Sequence, residues 1–268
     1  MDRPRIGAVS YLNTKPLVYG LDACAEQCEL IFDLPSRLAD RLAADDLDVA
    51  LIPSIEAIMD PSYTVVSDAC IGCQGPVWSV KLLSRVAPDK IKTLALDEGS
   101  RTSRVLGRII LQKQFGVSPD LTPLKMKDDW QQTETDAVLI IGDRAMADDP
   151  PQFPFVWDLG EAWHQWTGLP FVFAVWAART RESLDRLDGM LSRARDQGID
   201  SLDKIVAANA GHYRLTAKQC QQYLRDNLNF YLGDAEKQGL DLYFQYAADL
   251  KLIQPNLQLQ FHDCQTTG

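Results

Sequence analysis

The sequence predicts an α/β protein with two lobes and a ligand cleft between them. Apolar segments of strand length alternate with amphipathic helical segments through residues 1–179, which is typical of sheets with crossover helices. Residues 180–268 are helical in pattern and need a sheet to pack against. We therefore predict one lobe from residues 1–90 plus 180–268, and a second lobe, residues 91–179, inserted into it. Clefts between such lobes are favoured ligand sites.

A polar turn follows the first predicted strand. Residues 6–9 are apolar and long enough for one buried strand, and Ser10 and Asn13 come shortly after them. Pro16 suits the first turn of a helix, where its missing N–H costs nothing. Because ligands bind outside the carboxyl ends of strands in open α/β sheets, this turn is a candidate ligand cradle. The alternative is that Ser10 and Asn13 only cap the following helix.

The remaining strands of the first lobe carry further candidates. Leu34, Leu38 and Leu42 recur at every fourth position and predict one buried face of a helix. Ser54 ends the third predicted strand, which points at the cleft, and Ser79 lies in the strand region that leads towards the second lobe. Each serine alone is more often a turn or capping residue. These strands are predicted at residues 29–32, 49–52, 63–66 and 77–83.

The second lobe begins with a strand and a helix joined by hydroxyl-rich residues. Residues 93–96 predict the strand, and the helix ends at Gly116. Backbone N–H groups and the helix dipole favour an anion at such a junction, and nearby hydroxyl groups add donors. The alternative is an ordinary helix cap with a solvated Arg101. The junction residues are Ser100, Arg101, Thr102 and Ser103, and further strands are predicted at residues 121–126, 137–141, 153–159 and 171–178.

Composition and charge narrow the class of protein. The formal net charge is −10, which disfavours non-specific nucleic-acid binding. No apolar run reaches the ~20 residues that span a bilayer, and the N-terminus lacks the pattern of a secretory signal. We therefore expect a cytoplasmic protein with no nucleic-acid or membrane partner. The pattern does not predict an oligomeric state.

Neither the cysteines nor the histidines predict a metal site. Cys70 and Cys73 have metal or redox spacing, but no second pair stands at zinc-site distance. We interpret the cysteines as mostly buried or incidental thiols. The histidines are far apart, and none pairs with a carboxylate at metal-ligand spacing. The six cysteines are Cys24, Cys28, Cys70, Cys73, Cys220 and Cys264, and the three histidines are His164, His212 and His262.

Four segments carry a resemblance to a known enzyme family. They are VSYLNTKPL at residues 9–17, GPVWSV at 75–80, LDEGSRTS at 96–103 and TGLPFVFA at 167–174. The chain resembles the chorismate dehydratases, which catalyse the first step of the futalosine route to menaquinone. The segments are spread over the first two-thirds of the chain, and the helical C-terminal third adds little. The resemblance implies a two-lobed type II periplasmic-binding-protein-like fold, in agreement with the prediction above.

The resemblance also implies a reaction and a set of residues. The reaction removes water from chorismate, a small dianion, and gives 3-[(1-carboxyvinyl)oxy]benzoate without a metal or a redox cofactor. Asn13 and Ser79 would be catalytic, because an amide and a hydroxyl group can orient the departing hydroxyl of the substrate. The substrate would contact Ser10, Ser54, Ser100, Arg101, Thr102, Ser103, Thr167 and Gly168.

The sequence leaves the general base open. Asp97 and Asp143 both follow strands of the second lobe and are candidates by position. Asp143 could equally cap the following helix, and a dianionic substrate would repel either carboxylate. We favour the enolpyruvyl carboxylate of the substrate as the proton acceptor, because it lies close to C3.

Two other functions are compatible with the same fold. One is a non-catalytic binding protein for a small anionic solute. The other is the related 1,4-dihydroxy-6-naphthoate synthase, whose opening motif differs from the one in this chain. Formation of an aromatic product from chorismate would separate the dehydratase from both.

Overall fold

The fold is α/β with two sheets, as the sequence predicts. The computed structural model describes residues 3–21, 27–147, 150–179 and 184–262. Cys24 and Cys264, which belong to the predicted buried thiols, lie outside these ranges. Among the described residues, none of the helices combines the length and the apolar character that crossing a membrane requires.

Strands and helices alternate as predicted through most of the chain. In chain order, the strands are β1 (Arg5–Val9), β2 (Glu29–Asp33), β3 (Val49–Pro53), β4 (Tyr63–Cys73), β5 (Val80–Ser84), β6 (Thr93–Asp97), β7 (Asp120–Leu124), β8 (Ala137–Ile141), β9 (Phe155–Asp158), β10 (Phe171–Arg179), β11 (Asn229–Tyr231) and β12 (Gln260–Phe261). The helices are α1 (Pro35–Ala43), α2 (Ser54–Met59), α3 (Arg101–Phe115), α4 (Leu159–Thr167), α5 (Leu184–Asp200), α6 (Leu202–Asn209), α7 (Ala217–Gln222) and α8 (Asp234–Asp249). Helix α4, which follows β9 directly, was not predicted from the sequence.

The first sheet contains strands from both ends of the chain. Its order is β2-β1-β3-β10-β4-β11, and β12 also pairs with β4. Strand β1 runs parallel to β2 and β3, whereas β10 runs antiparallel between β3 and β4. Because β1 and β3 are parallel, the segments that follow Val9 and Pro53 start from the same edge of this sheet.

The second sheet has the order β7-β6-β8-β5-β9. Strand β6 runs parallel to β7 and β8, and β5 runs antiparallel to β8 and β9. The carboxyl ends of β6 and β8 therefore share one edge. The segments that begin at Glu98 and Gly142 leave the sheet there.

Strands β5 and β10 do not lie in the sheets that the predicted lobe boundaries assign to them. These boundaries are at residues 90/91 and 179/180. Strand β5 was placed in the first lobe but pairs within the second sheet, and β10 was placed in the second lobe but pairs within the first. Both strands are almost entirely buried, β10 is apolar up to Arg179, and β5 has apolar residues at three of its five positions. A continuous apolar run predicts a buried strand but carries no information about which partners it pairs with.

Strand β4 is longer than predicted and contains both cysteines with metal or redox spacing. Cys70 and Cys73 are buried, and burial raises the pKa of both thiols. Cys28 and Cys220 are buried as well. These four thiols agree with the interpretation of the cysteines as buried residues. The raised pKa makes Cys70 and Cys73 poor nucleophiles and poor metal ligands.

Helix α5 packs closely on the chain just after the N-terminal polar turn. A Cβ atom at Gly198 would collide with the carbonyl oxygen of Pro16. We expect Gly198→Ala to lower the free energy of unfolding by about 2–3 kcal/mol, because backbone atoms must move to accept the methyl group. Urea denaturation measures this loss.

The control for this variant is Gly211→Ala. A Cβ atom at Gly211 meets nothing within 4 Å. Its effect on stability should stay within about 0.5 kcal/mol. Equal losses in the two variants would contradict the close approach of α5 to Pro16.

Candidate active site

The two lobes enclose a cavity at the carboxyl ends of β1 and β3. The space inside it that a water-sized sphere can enter is about 50 Å³, which is smaller than the usual volume of a small-molecule site. Much of its wall is apolar and includes Val9, Ile71 and Phe173. The residues that bring polar groups or sharp turns to it are Tyr11, Asn13, Ser79, Ser100, Ser103 and Gly142.

Asn13 reaches the cavity from the turn after β1. The turn is a short 3-10 helix, Leu12–Thr14, whose first and last side chains are buried while Asn13 is partly exposed. The hydroxyl group of Thr14 donates to Asn13 Oδ1 at 3.3 Å. The two N–H groups of the Asn13 amide are thereby left as donors.

Ser79 reaches the same cavity from the segment that crosses into the second lobe. Its Oγ atom accepts a hydrogen bond from Tyr223 Oη at 2.8 Å. Its carbonyl oxygen accepts from the N–H of Gly142 at 2.8 Å, which ties it to the turn after β8. A hydroxyl group has one donor and two acceptor positions, so Ser79 keeps its own proton for a ligand.

The segment before Ser79 has a strained backbone. Trp78 has a φ of 65°, in the left-handed region that residues other than glycine seldom adopt. The carboxylate of Asp158 accepts from the N–H groups of Val77 and Trp78, and it also caps helix α4. Such strain persists only where neighbouring contacts fix it, and it is concentrated at functional sites. Sequence reasoning missed Asp158, although an acidic residue before a helix is a capping signal.

Ser100 and Ser103 line the cavity at the N-terminus of α3. The N–H of Ser103 donates to Ser100 Oγ at 3.2 Å, and the hydroxyl of Ser100 donates to Ser103 Oγ at 2.9 Å. The capping alternative is therefore confirmed for Ser100, and it coexists with the position of both serines at the cavity. The positive end of the α3 dipole favours an anion at this point.

Ser54 and Thr102 bond to each other instead of lining the cavity. Their hydroxyl oxygens lie 3.4 Å apart, and both side chains are fully buried. Ser54 Oγ donates to the carbonyl oxygen of Val172 at 2.9 Å, and the N–H of Ile55 donates to Thr102 Oγ1 at 3.3 Å. The two residues thus join α2 of the first lobe to α3 of the second, which differs from the predicted contact with substrate.

Arg101 also joins the lobes. Its guanidinium group lies 2.9 Å from the carboxylate of Asp40 and 3.1 Å from that of Glu56. Both carboxylates belong to the first lobe, and these pairs raise the pKa of Arg101 against the opposing effect of burial. Arg101 therefore differs from both sequence interpretations, since it neither lines the cavity nor stays solvated.

The remaining predicted contacts lie outside the cavity lining. Ser10 is exposed, and its carbonyl oxygen accepts from Tyr213 Oη at 3.3 Å. The hydroxyl of Thr167 donates to the carbonyl oxygen of Trp163 within α4. Gly168 ends that helix with a φ of 74°, a conformation that glycine adopts without a steric penalty. Thr167 and Gly168 thus shape the passage from α4 into β10.

Neutral groups supply the polarity of the cavity. Within the described part of the chain, its lining contains no lysine or arginine. Lys81, on β5, borders a different groove together with Asp158 and Glu161. Lys15 lies over the ring of Phe32 at 5.4 Å. An anion in the cavity would therefore be stabilised by the α3 N-terminus and by hydroxyl and amide donors.

Asp97 is a structural carboxylate. It is fully buried and accepts from the N–H of Gly99 at 2.8 Å and from the N–H of Ile141 at 3.2 Å. It also forms a two-point ion pair with the guanidinium group of Arg144. These donors occupy both oxygens, which disfavours Asp97 as a base for a ligand.

Asp143 connects the lobes and has an unusual proton affinity. It accepts from the N–H of Leu12 at 3.4 Å and does not belong to the cavity lining. Burial raises its pKa from 3.8 to about 6, although the bond from Leu12 and the charges of His212 and Lys15 act in the opposite direction. The charged form is therefore held in a partly desolvated place, which costs folding free energy near neutral pH.

We expect Asp143→Asn to stabilise the protein at neutral pH. Because the pKa is raised by folding, the native state binds the proton more tightly, and stability falls as the pH rises from 3.8 towards about 6. Asparagine still accepts from Leu12 but carries no charge, so it should add about 2 kcal/mol at pH 7.5 after allowance for partial exposure. Urea titrations at several pH values test this prediction.

The control for Asp143 is Asp241→Asn on the exposed face of α8. It should leave the pH dependence of stability unchanged. If Asp143→Asn keeps the wild-type decline between pH 4 and pH 6, or is less stable than wild type at pH 7.5, the assignment of that decline to Asp143 is wrong.

The sequence of this chain matches a known protein family. A family model described as menaquinone biosynthesis matches residues 4–249. The chain belongs to the menaquinone biosynthesis family. This match covers both lobes and every residue named at the cavity.

Two curated relatives of this menaquinone biosynthesis protein are named chorismate dehydratase. The relative from Thermus thermophilus is 28% identical over 257 residues, covering 88% of this chain and 92% of the relative. The relative from Campylobacter jejuni is 28% identical over 245 residues, covering 90% of this chain and 92% of the relative. The resemblance of the four sequence segments to this group is therefore confirmed over nearly the whole chain.

Solved structures similar to this family member confirm the fold. Protein AF1704 from Archaeoglobus fulgidus superposes with a TM-score of 0.72 at 14% identity, covering 94% of this chain and 98% of that one. The periplasmic aliphatic sulphonate binding protein SsuA from Escherichia coli gives 0.61 at 16% identity, covering 97% and 96%. The predicted two-lobed periplasmic-binding-protein-like fold is thus confirmed. These identities are too low to transfer a ligand.

Sequence reasoning missed two aromatic residues near the cavity of this family member. The ring of Tyr11 lies over the turn at Gly142, where a Cβ atom would come within 3.2 Å of it. Tyr11 belongs to the first segment of the resemblance, so its position was an available signal. Tyr223 lies in the C-terminal third, where no sequence motif indicated a function.

Proposed function

We propose that this protein is a chorismate dehydratase, a carbon–oxygen lyase that eliminates water from chorismate and gives 3-[(1-carboxyvinyl)oxy]benzoate. The observation that carries the proposal is the convergence of Asn13, Ser79, Ser100 and Ser103 on one cavity between the lobes. Two relatives with this name, each aligned over about nine-tenths of the chain, support it.

The carboxylates of the substrate would be bound at the N-terminus of α3. N–H groups in the first turn of α3 and the hydroxyl group of Ser103 are donors of the kind a carboxylate needs. The proton of the Ser100 hydroxyl is already donated to Ser103 Oγ. The apolar wall excludes water and strengthens these interactions. In this proposal Arg101 contributes to binding indirectly, because its ion pairs hold α3 against the first lobe.

The hydroxyl group at C4 would leave beside Asn13 and Ser79. The C3–H bond breaks, its proton passes to the enolpyruvyl carboxylate, and its electron pair forms the new ring double bond as the C4–O bond breaks. The departing hydroxide takes up that proton and leaves as water. The amide of Asn13 and the hydroxyl of Ser79 would donate to that oxygen and stabilise the charge that develops on it. Aromatisation of the ring provides the thermodynamic drive. Loss of water involves no net oxidation or reduction, so the chemistry requires no redox cofactor.

The proton acceptor in this proposal is the enolpyruvyl carboxylate of the substrate. The engagement of Asp97 by Arg144 and the place of Asp143 outside the cavity lining support this choice over either protein carboxylate. The reaction would belong to the futalosine route and would take place in the cytoplasm.

The test is to incubate the purified protein with chorismate in the absence of metal and nucleotide, and to follow the product by liquid chromatography with mass detection. We expect an aromatic compound lighter than chorismate by one water. Binding of chorismate without product would favour the solute-binding alternative. Neither binding nor product would overturn the proposed function.

A further inference from the structure

A buried tyrosine stands behind the two proposed catalytic groups. Tyr223 is 1% exposed and begins the π-helical turn Tyr223–Asn227 that follows α7. Its ring packs edge-on against Trp78, with the ring centroids 5.9 Å apart. Tyr223 does not belong to the cavity lining, so any influence on a ligand must act through a residue that does.

The phenol of Tyr223 has a hydrogen bond with one of those groups. Its hydroxyl donates to Ser79 Oγ at 2.8 Å, and Asn13 is a smaller influence that lowers the pKa of the phenol against the effect of burial. The hydroxyl of Thr14 occupies Asn13 Oδ1, which leaves the amide N–H groups as the donors of Asn13. Burial raises the pKa of Tyr223, so the phenol stays protonated and remains a donor throughout the neutral range.

We propose that Tyr223 is a positioning residue, which directs the hydroxyl proton of Ser79 into the cavity and holds Ser79 next to Asn13. This role rests on the proposed function, in which Ser79 donates to the departing oxygen. Since one lone pair of Ser79 Oγ accepts from Tyr223, the Ser79 proton cannot point towards that phenol. Ser79 lines the cavity, where the substrate would supply an acceptor for this proton.

The π-helical turn fixes the position of this phenol. Asn227, at the end of the turn, donates from Nδ2 to the carbonyl oxygen of Pro76 at 2.8 Å. The turn is therefore attached to the same crossing segment that carries Ser79. Single π-helical turns within helices occur frequently at functional sites. The C-terminal helices thus contribute to the site although they provide none of the residues that line it.

Tyr223→Phe tests the proposal, because it removes the hydroxyl group and keeps the ring. We expect kcat for chorismate to fall about 10- to 100-fold with KM changed by less than about 3-fold, since orientation of a bound reactant affects turnover more than binding. The matched control is Tyr63→Phe, a buried tyrosine at the start of β4, which should keep wild-type kcat. Circular dichroism and thermal unfolding establish that both variants are folded.

A double-mutant cycle separates positioning from a general structural effect. In a Ser79→Ala background, Tyr223→Phe should lower kcat by less than about 2-fold, because the group that it orients is gone. The same fall in both backgrounds, or an undiminished kcat for Tyr223→Phe alone, would overturn the positioning role and leave the proposed function intact. Absence of product from the wild-type protein would overturn both.

Discussion

Asn13→Leu is expected to lower kcat/KM for chorismate by about 10³-fold, the largest effect on activity that we predict. Leucine keeps the branched shape and the number of side-chain heavy atoms of asparagine but offers neither a donor nor an acceptor. The amide of Asn13 lies at a cavity with no lysine or arginine among its described lining residues, so no charged group can replace it. Steady-state kinetics with product detection measure the change.

The matched control for this prediction is Asn209→Leu. Asn209 is partly exposed at the end of α6 and donates to the carbonyl oxygen of Ile205, away from the cavity. This variant should keep kcat/KM within about 2-fold of wild type. An Asn13→Leu variant with near wild-type turnover would remove Asn13 from the mechanism, whereas one that fails to fold would be replaced by Asn13→Ser.

Asp97→Asn is expected to have the largest effect on stability. It should lower the free energy of unfolding by about 3 kcal/mol, because the Arg144 guanidinium would lose its buried counter-charge. The ion pair joins the end of β6 to the turn after β8, so the second lobe should be affected first. Urea denaturation followed by tryptophan fluorescence measures the loss.

The matched control is Asp120→Asn, an exposed carboxylate on the neighbouring strand β7. It should change stability by less than about 0.5 kcal/mol. At a temperature where Asp97→Asn remains folded, the variant should still form product, since Asp97 is not the proposed base. Loss of turnover with intact chorismate binding would instead assign the proton abstraction to Asp97.

The contacts between the lobes change the roles of several polar residues. Arg101, Thr102 and Ser54 were expected to hold the substrate, but they bind partners across the lobe boundary. On another side of the cavity, the N–H of Leu12 donates to Asp143. The same kind of polar group that suits an anion also suits a lobe contact, and sequence pattern does not distinguish the two uses.

The sequence by itself determined most of the elements and the places where polar groups follow them. Residues 6–9 form a buried strand, as their apolar character predicts. The turn that follows them contributes to the cavity, as its position at the carboxyl end of the strand predicts. Ser100 caps α3 because its hydroxyl accepts from an N–H that has no partner within the helix. These outcomes depend on periodicity and on hydrogen bonds between close neighbours in sequence.

The tertiary structure alone decided which elements meet. Strands β5 and β10 belong to their sheets because they pair with strands that are distant in sequence. Arg101 forms ion pairs with Asp40 and Glu56. Tyr223 donates a hydrogen bond to Ser79, which is 144 residues away in sequence. Such contacts depend on how two lobes and a helical C-terminal segment pack together, and a local pattern of apolar and polar residues carries no record of that packing.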